Sequence, residues 1–135
     1  MYKKSQENEL FQKSIKSTVK AISEKKNLNI FFGDLDKTKK QDILLPSFND
    51  ASEKNKIMRI RGMSDSASLK KKFHNTKIHQ DLRPEIENHK KIYDELENLR
   101  CEVLGSSKMP GIKKNIGEFL ELELNEEVEN KISQE

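Results

Sequence analysis

The sequence predicts a mainly α-helical domain of about four helices, with a small two-stranded β-hairpin near the N-terminal third of the chain. Two patterns lead to this fold class: apolar residues recur at helical spacing along most of the chain, and two apolar runs are too short to be helices. The composition limits the size of the hydrophobic core. Among 135 residues, 33% are hydrophobic and 36% are charged, which suits one domain with a modest core.

The first predicted helix covers residues 8–25. Its apolar positions share one face of a helix and are Leu10, Phe11, Ile15, Val19 and Ile22. Residues 1–7 are predicted to be a flexible N-terminus, and the domain itself is predicted to span residues 8–122. The remaining residues, 123–135, are predicted to be an acidic tail.

The predicted hairpin consists of two apolar runs, 29–33 and 42–46, joined by the polar loop 34–41. A two-stranded ribbon of this kind is stable only if helices cover it. Residues 47–56 are polar and are predicted to be a mobile connector.

The next segment, residues 59–79, is predicted to be a helix that is interrupted near Asn75 and Thr76. One face of this helix holds Gly62, Asp65, Ser66, Leu69 and Phe73. If the helix starts later than Arg59, Ser64 or Asp65 would be its N-cap. A carboxylate and a hydroxyl on a buried face need hydrogen-bond partners from elsewhere in the chain.

Two further helices are predicted in the C-terminal half. The longest helix is expected to start at 81–84, with Pro84 in its first turn and Gly105 at its end. Its apolar stripe consists of Ile86, Ile92, Leu96, Leu99 and Val103. The last helix begins with Ile112, Ile116, Phe119 and Leu120 and continues into the glutamate-rich tail.

Charge is distributed unevenly along the chain. Residues 118–135 contain seven glutamates and one lysine, a net charge of −6, so the net charge of +3 leaves +9 on residues 1–117. Residues 54–83 hold nine Lys or Arg against two Asp, a net charge of +7. This basic segment predicts an acidic partner, or an acidic tail that screens it.

Catalytic, cofactor and metal sites are not predicted in this chain. His74 and His79 are five residues apart, which on one continuous helix separates them by about 140°, so a metal pair is not expected. The five glycines are scattered and form no phosphate-binding loop. Cys101 has no base beside it in the sequence and is interpreted as a structural thiol. A single cysteine suits a reducing compartment, so the expected location is cytoplasmic. No apolar run approaches the length of a membrane span, and the first residues are not expected to be a signal peptide because no apolar segment follows their lysines.

Nucleic-acid binding is the alternative function, that of a small basic helical protein. Its basis is the run Lys70-Lys-Lys72 together with Arg59, Arg61 and Lys77. Only Phe73 is interleaved with these residues and no known reader motif is present, so this function is not the favoured one.

A series of motifs follows in order along the chain. The central motif is Arg61-Gly-x-x-Asp65-Ser66-x-x-Leu69 followed by His74-Asn75-x-x-x-His79. The series continues through Pro84, Tyr93-Asp94, Glu97-x-x-Arg100-x-Glu102-x-x-Gly105 and Met109-x-Gly111-Ile112-x-x-Asn115-Ile116. It resembles the N-terminal domain of the T subunit of aerobic cobaltochelatase, and the resemblance covers residues 8–120. Ser64 and Ser68 replace alanines of the family pattern, and Asn75 replaces an acidic residue.

The resemblance implies a subunit of an ATP-dependent ligase complex that inserts cobalt into hydrogenobyrinic acid a,c-diamide during cobalamin biosynthesis. Cobalt and Mg-ATP would be handled by partner subunits, a large chelating subunit and an AAA+ ATPase. This chain would be an assembly and coupling module without a cofactor of its own, and self-association stays open. Family members continue through an acidic linker into a von Willebrand factor A-like domain, so residues 123–135 are expected to begin that linker.

The resemblance also selects the candidate site residues. They are expected to form an interaction surface or a buried polar cluster, which includes an Arg61–Asp65 pair one helical turn apart. The full set is Arg61, Asp65, Ser66, His74, His79, Glu97, Arg100 and Glu102.

Overall fold

The computed structural model describes residues 2–134 as five helices and a two-stranded sheet, which confirms the mainly helical fold class. The helices are α1 (Tyr2–Ser23), α2 (Lys54–Phe73), α3 (Thr76–Asp81), α4 (Glu87–Ser106) and α5 (Pro110–Ile132). The strands are β1 (Ile30–Phe32) and β2 (Ile43–Leu45). Across residues 2–134, no helix combines the length and the apolar character that crossing a bilayer requires.

Helix α2 is the centre of the fold, because α1, α4 and α5 all pack against it. Small residues permit this close packing. A Cβ atom at Gly62 would overlap the side chain of Phe119 on α5, and one at Gly105 on α4 would overlap Leu69 of α2. Ser64 and Ser68 are buried within α2, where their hydroxyls donate to the carbonyls of Arg61 and Ser64 at 2.9 and 2.6 Å.

The apolar core has two parts. The larger part lies between α1, the sheet and the first half of α2, and three phenylalanines pack edge to face within or beside it. Its buried members are Ile15, Val19, Ile30, Ile43, Leu45, Phe48, Ile57 and Ile60. The smaller part joins the end of α2 to α4 and α5 and consists of Leu69, Cys101, Ile112 and Ile116.

Both strands were predicted, but the hairpin geometry is wrong because β1 and β2 pair in parallel, with Ile30 opposite Ile43. The ten residues 33–42 bring the chain back to the starting end of β1. There the Asp42 carboxylate accepts from the backbone N and the Nδ2 of Asn29, at 2.8 and 3.1 Å. This side-chain bridge fixes the start of both strands at the same end, while Ile43 and Leu45 enter the core.

Several helix boundaries differ from the predictions. Helix α1 begins at Tyr2 rather than at the predicted residue 8, and α2 begins at Lys54 within the predicted connector. Ser64 and Asp65 are therefore interior residues of α2 and not its N-cap. The predicted interruption near Asn75 is confirmed. It separates the short helix α3 from α2, so that the chain has five helices rather than about four.

The C-terminal half differs in two respects. Helix α4 begins at Glu87 rather than at 81–84, because α3 still occupies the chain up to Asp81. The longest helix is α5, which continues through the predicted tail to Ile132. The proposed division at residues 7/8 and 122/123 coincides with no helix end and stays a prediction.

Candidate functional site

The interruption between α2 and α3 brings the two histidines together. Helix α2 ends at Phe73, and the side chain of Asn75 then caps α3 by accepting from the backbone N of Ile78 at 3.1 Å. As a result the rings of His74 and His79 lie 4.9 Å apart, edge to face. The angular separation expected for one continuous helix does not apply, because no continuous helix joins these residues.

Glu97 of α4 holds the first histidine. Its Oε1 lies 3.0 Å from Nδ1 of His74, and Arg100 donates to both of its oxygens, at 2.7 and 2.8 Å. Arg100 also donates to the carbonyl of Phe73 at 3.0 Å, so one guanidinium joins α4 to the end of α2. The Arg100 guanidinium, helped by His74, lowers the pKa of Glu97 to about 2.

Asp94, one turn earlier on α4, holds the second histidine. Its Oδ1 lies 2.7 Å from Nε2 of His79, and Arg83 donates to its two oxygens at 3.1 and 2.6 Å. The hydrogen bonds from Arg83 and His79 lower the pKa of Asp94 to about 2. Tyr93 stacks on the His79 ring with 4.6 Å between centroids. We call His74, His79, Asp94, Glu97, Arg83 and Arg100 the histidine cluster.

Cys101 lies beneath this cluster and is fully buried. Burial, with Glu97 nearby, raises the pKa of the Cys101 thiol, so it is protonated at neutral pH. A buried, protonated thiol is a poor nucleophile, which agrees with a structural role.

Asp65 is buried in the interface between α2 and α5, with only 3% of its surface exposed. Its Oδ2 accepts from Nδ2 of Asn115 at 2.8 Å. Burial raises the pKa of Asp65, against the lowering effects of Asn115 and Arg61. The predicted Arg61–Asp65 contact is not made: Arg61 is exposed and its guanidinium lies over the Phe11 ring.

Ser66 and Glu102 form a third, separate contact, in which the hydroxyl donates to Oε1 at 2.5 Å. The eight predicted residues thus do not form one cluster. Four of them join the histidine cluster, two form the Ser66–Glu102 pair, and Asp65 and Arg61 each have different neighbours.

A wide apolar groove of about 830 Å³ opens between α2, α4 and α5, next to the Ser66–Glu102 pair. Its α4 wall holds three residues of the predicted apolar stripe, which lie outside the core: Ile92, Leu96 and Leu99 are 60%, 58% and 52% exposed. The other apolar lining residues are Met63, Ala67, Phe119 and Leu120, and the charged ones are Lys70, Lys91, Glu95 and Glu102. We call this surface the apolar groove.

With this geometry in place, comparison with known proteins identifies the family. The family model described as "Cobalamin biosynthesis protein CobT" matches residues 5–135, nearly the whole chain. The chain belongs to the CobT family. The resemblance drawn from the sequence motifs is therefore confirmed, and with it a role as a cobaltochelatase subunit in cobalamin biosynthesis. No solved structure matches the chain.

Sequence reasoning missed three residues that complete the sites of this CobT-family chain. Asp94 and Asn115 both lie in the motifs quoted for the resemblance, and the requirement for partners to the histidines and to Asp65 was the signal that could have selected them. Arg83 lies in a loop and carried no comparable signal, since its contact with Asp94 is tertiary.

The basic segment 54–83 is partly neutralised by the chain itself. Four of its nine basic residues pair with carboxylates: Lys56 with Glu53, Arg59 with Glu123 and Glu126, Lys72 with Glu24, and Arg83 with Asp94. Two glutamates of the predicted tail, Glu123 and Glu126, therefore contact the basic segment directly. This compensation reduces the positive surface on which nucleic-acid binding would depend.

Proposed function

We propose that this chain is the assembly and coupling module of a cobaltochelatase. In this role it binds the AAA+ ATPase subunit and links it to the large chelating subunit. Those partners use Mg-ATP to insert cobalt into hydrogenobyrinic acid a,c-diamide in the cytoplasm. The chain itself contributes a binding surface and no reacting group.

The apolar groove is the observation that carries this proposal. Ile92, Leu96, Leu99 and Leu120 are more than half exposed on adjoining helices. A contiguous apolar surface bordered by charged residues is typical of a protein–protein interface, because water-exposed apolar area is removed when a partner covers it. The walls of the groove come from three helices that pack on one another, so the surface exists before the partner binds.

The border of the groove adds specificity to this surface. Lys70 and Lys91 contribute positive charge, and Glu95 and Glu102 contribute negative charge. Charged residues at the border of an interface select the partner and its orientation more than they add affinity. We therefore expect binding of the ATPase subunit to weaken only partly as salt is raised.

Co-elution of the purified chain with the AAA+ ATPase subunit on size exclusion tests the proposal. We compare two charge insertions at exposed leucines: Leu96→Glu in the groove and Leu10→Glu on α1, which is 69% exposed. The wild type and Leu10→Glu should co-elute with the ATPase subunit, and Leu96→Glu should bind at least about tenfold more weakly, because a buried unpaired carboxylate opposes binding.

Two results would contradict the proposal. One is the absence of co-elution of the wild type at every ionic strength. The other is an equal loss of binding for Leu10→Glu and Leu96→Glu when circular dichroism shows both variants folded.

A further inference from the structure

We propose that His74, His79 and Glu97 bind one divalent transition-metal ion of the zinc, cobalt(II) and nickel(II) class. Two imidazoles and one carboxylate are the donor set that such ions prefer, whereas magnesium and calcium prefer oxygen donors alone. The proposal stands on the geometry of the cluster and does not depend on the proposed assembly role.

The donor atoms are already close to one another. One ligand atom from each of the three residues lies within 4.8 Å of the other two. Nδ1 of His74 and Oε1 of Glu97 are 3.0 Å apart, which is about the separation of two donors that bind one ion at roughly 2.1 Å. Donors that bind one ion at that distance lie about 3–3.5 Å apart, so closing the set needs an adjustment of about 1–2 Å.

The surroundings hold these donors in place. The side chains of His74, His79 and Glu97 are 15%, 15% and 17% exposed, so an ion would be reachable from solvent yet partly shielded. Asp94 contacts one ring nitrogen of His79, which is how carboxylates orient the histidines of metal sites. Tyr93 stacks on the same ring and limits its rotation.

Arg100 competes with the ion for the carboxylate of Glu97. Its guanidinium contacts both oxygens of Glu97, and an ion that binds Oε1 must displace one of these hydrogen bonds. Arg83 and Lys70 add positive charge nearby. The site should therefore bind metal moderately in the wild type and more tightly once Arg100 is neutralised, a result that a merely structural cluster would not give.

The test measures Zn²⁺ and Co²⁺ binding to the full chain, free of any histidine tag, by calorimetry and by the visible absorption of bound Co²⁺. The variants are His79→Ala, Glu97→Gln and Arg100→Gln. The matched control is His89→Ala, because His89 is the third histidine, is exposed on α4 and lies outside the cluster. Circular dichroism without metal checks that each variant is folded.

We expect one ion per wild-type chain, at least about tenfold weaker binding for His79→Ala and Glu97→Gln, and unchanged binding for His89→Ala. Arg100→Gln should bind about threefold to tenfold more tightly than wild type. Magnesium should not compete. The proposal is overturned if the wild type binds no Zn²⁺ up to about 100 µM, if His89→Ala weakens binding as much as His79→Ala, or if folded Arg100→Gln binds no more tightly than wild type.

Discussion

The two halves of the molecule use their apolar residues in different ways. Around α1, the sheet and the first half of α2, eight buried apolar residues form a closed core. Where the end of α2 meets α4 and the first two turns of α5, four residues are buried in the smaller core, while the apolar stripe of α4 faces outward. Both halves have helices of similar apolar pattern. The contrast teaches that a helix with an apolar stripe can be covered in one half and left exposed in the other, and it is the exposed stripe on which the proposed binding of a partner depends.

A large effect on stability is expected at the helix crossing that joins the halves. Gly62→Ala should lower the unfolding free energy by about 2–4 kcal/mol, because the added Cβ has no space between Phe119 and the carbonyl of Asn115. Gly117→Ala is the control, since a Cβ there meets nothing within 4 Å, and it should stabilise by about 0.5–1 kcal/mol. Urea denaturation measures the unfolding free energy of both variants. Equal changes for the two would refute the close contact between α2 and α5 at Gly62.

The next prediction compares the closed and the open apolar surfaces directly. Ile60→Ala in the closed core should cost about 2–5 kcal/mol, because Ile60 is fully buried and its removal leaves a cavity. Leu96→Ala in the apolar groove should change stability by less than about 0.5 kcal/mol. Denaturant midpoints of the two variants test this difference. A large loss for Leu96→Ala would mean that the groove is covered in solution.

Asp65 tests the polar contact between α2 and α5. Because burial raises its folded-state pKa, the charged form destabilises the fold at neutral pH. This cost is absent below its ordinary pKa of 3.8 and grows as pH rises through the folded-state pKa. Asp65→Asn removes the charge and keeps an acceptor for Asn115, so it should stabilise by about 1 kcal/mol at pH 7.

The gain from Asp65→Asn should disappear near pH 3, where wild-type Asp65 is itself neutral. Melting temperatures of both proteins between pH 3 and pH 8 measure this convergence. If the difference between them were constant across that range, the charge on Asp65 would not be its cause.

A small effect is expected at Arg59, which joins α2 to Glu123 and Glu126 on the outer part of α5. Arg59→Gln should cost less than about 1 kcal/mol, because both glutamates are well exposed. Hydrogen exchange should rise in residues 121–132 and stay unchanged in 112–116. Lys54→Gln, at the exposed start of α2, serves as the control and should alter neither segment.

Sequence periodicity predicted the long helices, but it could not predict which of their apolar faces are covered by other parts of the chain. The stripes of α1 and α4 were both recognised, but periodicity shows only that one face is apolar. Whether that face is covered depends on helices far away in sequence, so the burial of Val19 and the exposure of Leu96 could not be distinguished. Likewise, three-residue strands carry no sign of direction, and the Asn29–Asp42 bridge that fixes their parallel pairing is a tertiary contact.

The histidine cluster shows a different limit. The interruption at Asn75 was predicted, yet His74 and His79 were judged as if they shared one helix. A helix interruption removes fixed angular relations between the residues on either side of it, so spacing rules no longer apply there. The family resemblance did select Glu97 and Arg100, whereas the opposing contact of Arg83 with Asp94 depends on how the loop 82–86 is placed.

Helix α5 has a mechanical consequence. Its 23 residues span about 34 Å as one rod, and its buried side chains, Ile112 and Ile116, lie in its first two turns. The rest of the helix extends beyond the close crossing at Gly62 and is joined to α2 by the contacts of Arg59 with Glu123 and Glu126. A force applied near Val128 would therefore be transmitted to α2 first through these exposed ion pairs and then through the crossing at Gly62.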